Sequence, residues 1–351
     1  INVDMSGSMW TGMPCTPLIV GDTVYVRAGG ILYALDINNG TVINSVRSQG
    51  LGNDYYHYIS YGNGVIFDTT GYKAYDLDLN VLYDLPYNLR FATYHDGYMY
   101  GSLEVNGQYR LFKTSTEPGV DLENGCKINL FKSTDTHKIW AQYGQYSSFF
   151  IENDWIFFLE ADGSTGKTGY RAMSAFNIKT EQYTTCELPG LTGMPWDDGW
   201  LTYYNGYLYV TAYTAGLFGG VPSGLEDKHS SIAFVKFNFD KGEFETPRYQ
   251  DITTPDGDKF SGIASQFLIH EGRGYVNVRS FQGGGDTAMT SFIAYDIAAD
   301  GTPIPTECAN SVMTHGGIVI NTAHEDEGKI HIYLVPYESS QQALYIFTDE
   351  Y

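Results

Sequence analysis

One phrase recurs along this chain in changed wording: an apolar run, a tight turn of Gly, Asn or Asp, then a strand centred on an aromatic residue. It reads Val20-Gly21-Asp22-Thr23-Val24-Tyr25-Val26, then Tyr61-Gly62-Asn63-Gly64-Val65-Ile66-Phe67, Tyr94-His95-Asp96-Gly97-Tyr98-Met99-Tyr100 and Tyr204-Asn205-Gly206-Tyr207-Leu208-Tyr209-Val210. Glu152 to Phe158, His270 to Val276 and the looser Asp326 to Ile332 complete seven copies. Amphipathic helix spacing is nowhere sustained, whereas short alternating runs bounded by Gly, Asn and Asp are strands. A hairpin unit that returns every roughly 40 to 60 residues marks an array of small sheets, because no single unit buries its own apolar faces.

A second phrase follows the first: an apolar strand that ends in Ala, an apolar or aromatic residue, and Asp. It appears as Leu32-Tyr33-Ala34-Leu35-Asp36, Tyr72-Lys73-Ala74-Tyr75-Asp76 and Phe292-Ile293-Ala294-Tyr295-Asp296, with weaker forms ending at Asn177 and Asn238. An Asp or Asn at a strand end bonds backbone N–H groups two residues on and shapes the turn. With a leading strand before the first phrase and an outer strand after the second, each unit is a four-stranded antiparallel blade. The blade cores fall at 16 to 48, 56 to 87, 91 to 142, 145 to 190, 196 to 252, 264 to 311 and 313 to 351. The expected fold is all-β, a single β-propeller domain over 1–351 with about seven four-stranded blades. The last unit lacks an outer strand, and Ile1 to Met5 is expected to pair beside Leu344 to Phe347 and close the ring, hiding exposed edges.

A hydrophobic share of 43% against 17% charged residues supplies a large core and argues against disorder. The 41 acidic and 20 basic residues give a net charge of −21, which repels phosphate and excludes nucleic acid as a partner. No apolar run reaches the roughly 20 residues that span a bilayer, so no membrane insertion is expected in this segment. The start at Ile1 reads as a processed or excised chain. Few lysines beside 30 tyrosines and 40 glycines fit an extracellular or cell-surface location. Cys15, Cys126, Cys186 and Cys308 lack the close spacing of a zinc site. They are expected as buried thiols. The alternative, from blade adjacency, pairs Cys15 with Cys308 and Cys126 with Cys186.

Thr16 to Val26 followed by Ile31 to Gly40 resembles the quinoprotein-type, or PQQ-like, β-propeller repeat, whose strands take the form VYV and then LYALD. The resemblance implies the propeller fold and spans most of the chain. It departs from the family after Gly40, where Thr41-Val42-Ile43-Asn44 stands in place of a Trp that helps dock one blade against the next. The calcium ligands and catalytic Asp that the family's quinone enzymes use cannot be placed here, so bound PQQ is not expected and no cofactor is predicted. Similar repeats occur in large bacterial surface proteins, and a fold of this kind does not fix a chemistry. Asp4-Met5-Ser6-Gly7-Ser8 imitates a DxSxS metal motif, but Pro14 and Pro17 exclude the helix that motif requires.

Candidate binding residues lie in the loops that lead into first strands and join second to third strands. Those loops are long, notably Ala212 to Ser231. Trp196-Asp197-Asp198-Gly199-Trp200 and Tyr55-Tyr56-His57 combine aromatic planes with carboxylates, a combination that stacks on sugar C–H faces and bonds hydroxyls. The same aromatics would also serve as packing between blades. Asp256 and Asp258 offer two oxygen ligands to calcium, well short of a complete shell, and a solvated turn is the simpler account of them. No catalytic residues are identifiable. The expected function is a non-catalytic recognition or structural module that takes a glycan or protein ligand at these loops. The alternative is a carbohydrate-active lyase or hydrolase using Asp197, Asp198 and Asp258 as acid and base.

Overall fold

The computed structural model describes residues 17–28, 30–48, 59–69, 71–85, 90–105, 108–118, 128–131, 137–139, 150–162, 170–189, 201–212, 230–253, 256–257, 262–280, 289–307, 314–315, 319–326, 329–336 and 345–350. Among these there is no helix, and the strand pairings of the first six sheets are antiparallel. The chain divides into two compact units.

The first unit, Ile1–Ser133 with Ile320–Thr322 and Tyr333–Ile346, carries three sheets. The first sheet runs β1 (Leu18–Val20), β2 (Thr23–Ala28), β3 (Ile31–Asp36), β4 (Val42–Arg47). The second runs β5 (Ile59–Gly62), β6 (Val65–Asp68), β7 (Lys73–Tyr75), β8 (Val81–Asp84). The third runs β9 (Arg90–His95), β10 (Tyr98–Val105), β11 (Gln108–Ser115), β12 (Ile128–Phe131).

The second unit, Thr134–Val319 with Ala323–Ile332 and Phe347–Tyr351, carries three more. The fourth sheet holds β13 (His137–Ile139), β14 (Phe150–Glu152), β15 (Trp155–Asp162), β16 (Tyr170–Asn177) and β17 (Tyr183–Glu187). The fifth holds β18 (Thr202–Tyr204), β19 (Tyr207–Ala212), β20 (Ser231–Asn238), β21 (Glu243–Phe244) and β22 (Arg248–Asp251). The sixth holds β23 (Gly262–His270), β24 (Arg273–Ser280), β25 (Met289–Ile297), β26 (Pro303–Thr306) and β27 (Thr314–His315). A seventh sheet orders β28 (Val319–Asp326), β29 (Lys329–Pro336) and β30 (Tyr345–Glu350). These sheets are the blades of an all-β propeller fold.

Two boundaries differ from the sequence reading. β13 falls within the span read as the third blade but pairs with β15 of the fourth, His137 opposite Asp162. β27 falls within the span read as the seventh blade but pairs with β25 of the sixth. The cause is the length of the inner hairpins. β14 covers only Trp155 to Phe157 of the eight-residue β15, so its far end accepts another strand. β25 is likewise shared between β26 and β27. The strand proposed to close the ring, Ile1 to Met5, lies outside the described residues.

The tight turns take the backbone geometry their residues favour. Asn63-Gly64, Asp96-Gly97, Asn153-Asp154, Asn205-Gly206 and Glu271-Gly272 all hold positive φ at both central positions. That is the type I′ hairpin, whose twist matches the strands it joins. Two residues beyond each turn's following residue, the repeated aromatic turns inward: Tyr25, Phe67, Tyr100, Phe157, Tyr209 and Tyr275 are each at most 2% exposed. The polar strand ends behave as expected of Asx turns. Asp36 Oδ1 accepts the N–H of Asn38 at 2.9 Å and of Asn39 at 3.1 Å, and Asn177 Oδ1 accepts those of Lys179 and Thr180. Asp76 does the same for Asp78 and Asn80, and the Asn80 side-chain bond, with these backbone donors, holds its carboxyl below the usual carboxylate range.

The first two sheets bury both faces. In the first, Val24, Val26, Tyr33 and Leu35 pack on one face, while Tyr25, Leu32 and Ala34 join Ile66, Tyr75 and Leu79 of the second sheet on the other. Phe67 and Ala74 then meet Met99 and Phe112 of the third sheet. Between the fourth and fifth sheets Trp155, Phe157, Leu159 and Met173 meet Leu208, Val210, Val235 and Phe237, with Phe157 and Phe237 edge to face at 4.9 Å.

A hydrogen bond at the turn between third and fourth strands fastens blade to blade. Tyr25 Oη donates to the Leu77 carbonyl of the second sheet at 2.7 Å, and Tyr209 Oη donates to the Gly301 carbonyl of the sixth at 2.9 Å. Arg248 Nη1 reinforces the latter junction at Asp300 Oδ2, 3.0 Å away. Gly301 adopts φ +80°, and a Cβ there would lie 2.5 Å from the Tyr207 ring. Removing the hydroxyl in Tyr209→Phe leaves a buried carbonyl without its donor and is expected to cost about 1–2 kcal/mol in urea denaturation. Gly301→Ala adds backbone strain to a steric clash and is expected to cost more than about 1 kcal/mol by the same measurement.

Candidate functional site

Every sheet has a turn end, just described, and a loop end, from which the chain leaves the second strand or arrives at the first. The sequence-predicted ligands belong to the loop ends. Trp196, Asp197, Asp198, Trp200, Tyr55, Tyr56, His57 and Asp258 lie outside the described residues. Asp256 occupies an exposed turn beside Gly257, whose φ is +89°. Leu201, directly after Trp200, is buried in the core of the fourth and fifth sheets, and Ile59 opens β5.

The loop ends are marked by buried polar side chains in sheets that are otherwise apolar. In the first two sheets Arg27 Nε approaches Asp68 Oδ2 at 3.3 Å, with both residues at most 1% exposed. Ser48 donates to the same carboxylate oxygen, and the Gly71 N–H donates to Asp68 Oδ1 at 2.8 Å. A Cβ on Gly71 would stand 2.5 Å from that carboxylate, so glycine is what lets the backbone close over it. Both anchors flank the segment 49–58 in sequence, Ser48 as its immediate neighbour. In the middle of the fourth sheet, away from its loop end, the buried Glu160 accepts the Tyr183 hydroxyl at 2.7 Å, and Ser174 donates to Thr185 at 3.0 Å on the same face. Burial first, then the Glu160 charge, raises the Tyr183 hydroxyl above its ordinary range, while the Ser174 bond opposes the rise. In the fifth sheet Thr211 and Ser230 are fully buried at the loop end.

A third buried carboxylate sits at a turn end. Asp349 on β30 accepts Arg273 Nε and the Tyr275 hydroxyl, the latter at 2.7 Å, through one oxygen. Arg273 also reaches Asp296 Oδ1 at 3.1 Å and the Glu307 carbonyl at 2.8 Å. Burial alone would lower the guanidinium, but the Asp349 hydrogen bond and charge outweigh it and raise it. Sequence reasoning passed over Asp349. Its signal was register: β30 runs on to Glu350, which puts Asp349 one residue from the strand end, as Asp296 is in β25. Removing the carboxylate in Asp349→Ala strands a nearly buried guanidinium and is expected to cost about 3–5 kcal/mol in urea denaturation.

Among the described residues Asp68, Glu160 and Asp349 are the buried acids, and each is engaged by named donors inside or between blades. Cys186 is a free thiol at 8% exposure, which sets aside its pairing with Cys126, and its Sγ faces the Glu187 carbonyl at 3.7 Å. Burial, helped by the Glu187 charge, pushes the thiol from 9.0 up to about 11. A raised pKa favours the neutral folded form, so its contribution is whole below pH 9 and is lost as pH climbs towards about 11. The native protein is expected to resist maleimide labelling at Cys186 at pH 8, read by peptide mass spectrometry, with full labelling after urea unfolding.

No family model matches the chain, and no curated protein matches its sequence. Solved structures do resemble it. A prolyl endopeptidase, from a study of two such enzymes and their inter-domain dynamics, aligns with TM-score 0.50 and 11% identity over 97% of this chain and 48% of that one. The chain thus spans about half that enzyme's length. A quinohemoprotein alcohol dehydrogenase from Pseudomonas putida HK5 aligns with TM-score 0.49 and 11% identity over 95% and 71%. The extracellular domains of Drosophila Semaphorin 1a give 0.48 and 10% over 99% and 87%. At such identities the likeness is one of fold. No helix among the described residues is long and apolar enough to cross a membrane.

Proposed function

We propose that this chain is a non-catalytic recognition module of a secreted or cell-surface protein, built from quinoprotein-type repeats, that holds carbohydrate at its loop ends. What supports this reading is the pairing of aromatic planes with carboxylates at Trp196 to Trp200 and at Tyr55 to His57, in segments that the repeat does not call for. The loop ends of the first two sheets are braced by Arg27, Asp68 and Ser48. Rigid support of this kind suits a preformed binding surface.

Trp196, Trp200, Tyr55 and Tyr56 supply stacking planes in this reading, and Asp197, Asp198 and His57 supply hydrogen bonds to hydroxyls. Calcium at Asp256 and Asp258 would be an accessory to the same loops. On a glycan array, Trp196→Ala and Trp200→Ala are each expected to weaken the parent's strongest signals by about tenfold or more, the loss typical of a buried aromatic anchor. Parent-like binding by both variants would remove the proposal. Retention of a protein ligand alone in a parallel pull-down would replace glycan by protein as the partner.

A further inference from the structure

The outer strands differ in how their edges are guarded. β26 carries Pro303 and Pro305, and the outer strand of the fifth sheet is broken into β21 and β22 around Pro247. β17 ends on the exposed Glu187, and the four-residue β8 ends on Asp84. Prolines, charges and short strands are the ordinary means of blocking unwanted strand pairing. β4 has no proline, is six residues long and carries no charge before Arg47; its one irregularity is a register shift against β3 that leaves Ile43 without a direct partner there. Ile37 to Val46 contains neither a charge nor a proline, and of the six residues of β4 all but Val46 are exposed, Val42 at 51% and Ile43 at 58%. Among the described residues β4 is also the last strand in its sheet order, with only β3 beside it.

The surroundings of this edge carry negative charge. The Ile37 N–H donates to the Asp22 carbonyl at 3.0 Å, and Asn44 Nδ2 donates to the Asp78 carbonyl at 2.5 Å, so the Asp22, Asp36, Asp76 and Asp78 turns gather at the start of β4. Arg47, at the far end, is the sole exposed cation of the first sheet's described residues. The chain as a whole carries −21. Such a field attracts a cationic partner and opposes approach of a second copy.

We propose that β4 is a docking edge to which an extended polypeptide segment of alternating apolar and basic residues adds as a fifth antiparallel strand. Main-chain hydrogen bonds to the open edge would supply affinity, Val42 and Ile43 would cover the apolar side chains, and the acidic turns would select the charge. This surface is separate from the loop ends invoked above, and neither reading depends on the other.

The test is fluorescence anisotropy of the intact chain with a labelled peptide that alternates Val and Lys over about eight residues, long enough to match a strand. Saturable binding is expected, weakened about tenfold or more by Ile43→Lys, which guards the edge with a charge. Ile304→Lys, at a residue of similar exposure (50%) on the proline-guarded β26, is expected to leave binding unchanged. Unchanged thermal unfolding confirms that each variant folds, and Ser45→Lys replaces Ile43→Lys if that variant does not. Loss of binding on alternate N-methylation of the peptide, or on exchange of Lys for Glu, is also expected. Equal binding by either altered peptide, equal effects of the two lysine variants, or no saturation with the parent protein would overturn the proposal. A concentration-dependent dimer abolished by Ile43→Lys would overturn it too, by making a second copy the occupant.

Discussion

The structure depends on one repeated burial: an aromatic ring on the second strand of a blade, placed by a two-residue turn and turned into the space between sheets. At Tyr25, Phe67, Tyr100, Phe157, Tyr209 and Tyr275 this ring is all but inaccessible to water. Burying a ring of this size is strongly favourable, but a tyrosine brings a hydroxyl that must find an acceptor. That requirement joins packing to assembly. Tyr25 and Tyr209 satisfy it at a backbone carbonyl of the adjacent blade, and Tyr275 at Asp349. Phe157 has no hydroxyl, and its junction is a cluster of edge-to-face rings around Phe237.

Much of this was legible in the sequence because it follows from local chemistry. Asn-Gly and Asp-Gly between alternating apolar runs call for a type I′ hairpin, and the backbone angles at Asn63 and Gly64 agree. Asp36 and Asp76 sit where their side chains bond the following amides, as residue type and position foretold. The shared edges of β15 and β25 were not legible, since partners such as His137 and His315 are far in sequence from the strands they extend. The docking bonds were equally hidden. The missing Trp after Gly40 left open what joins the blades, and the answer lay in tyrosines that the repeat had already presented as core.

The buried ions follow the same logic at greater cost. Arg27 with Asp68, and Arg273 with Asp349, remove full charges from water, and only several simultaneous hydrogen bonds make that tolerable. Gly71 closing on Asp68 and Tyr275 bonding Asp349 are those additional partners. No sequence pattern announces such clusters, because each joins residues from two or three strands. The candidate ligand residues were legible for the opposite reason: Trp196 to Trp200 stands out because nothing in the repeat calls for it.

The hydroxyl bonds of Tyr25 and Tyr209 run in the same sense, from the second strand of one blade to the turn between third and fourth strands of the next. Each such turn therefore answers to two masters. Asp76 and Asn80 shape theirs from within, while Tyr25 fixes where the Leu77 carbonyl must point. A change in the turn is thus felt first by the preceding blade, whose tyrosine loses its acceptor. Blades that look interchangeable as sequence repeats are in this respect an ordered series, and exchanging two of them would break junctions that no alignment of the copies reveals.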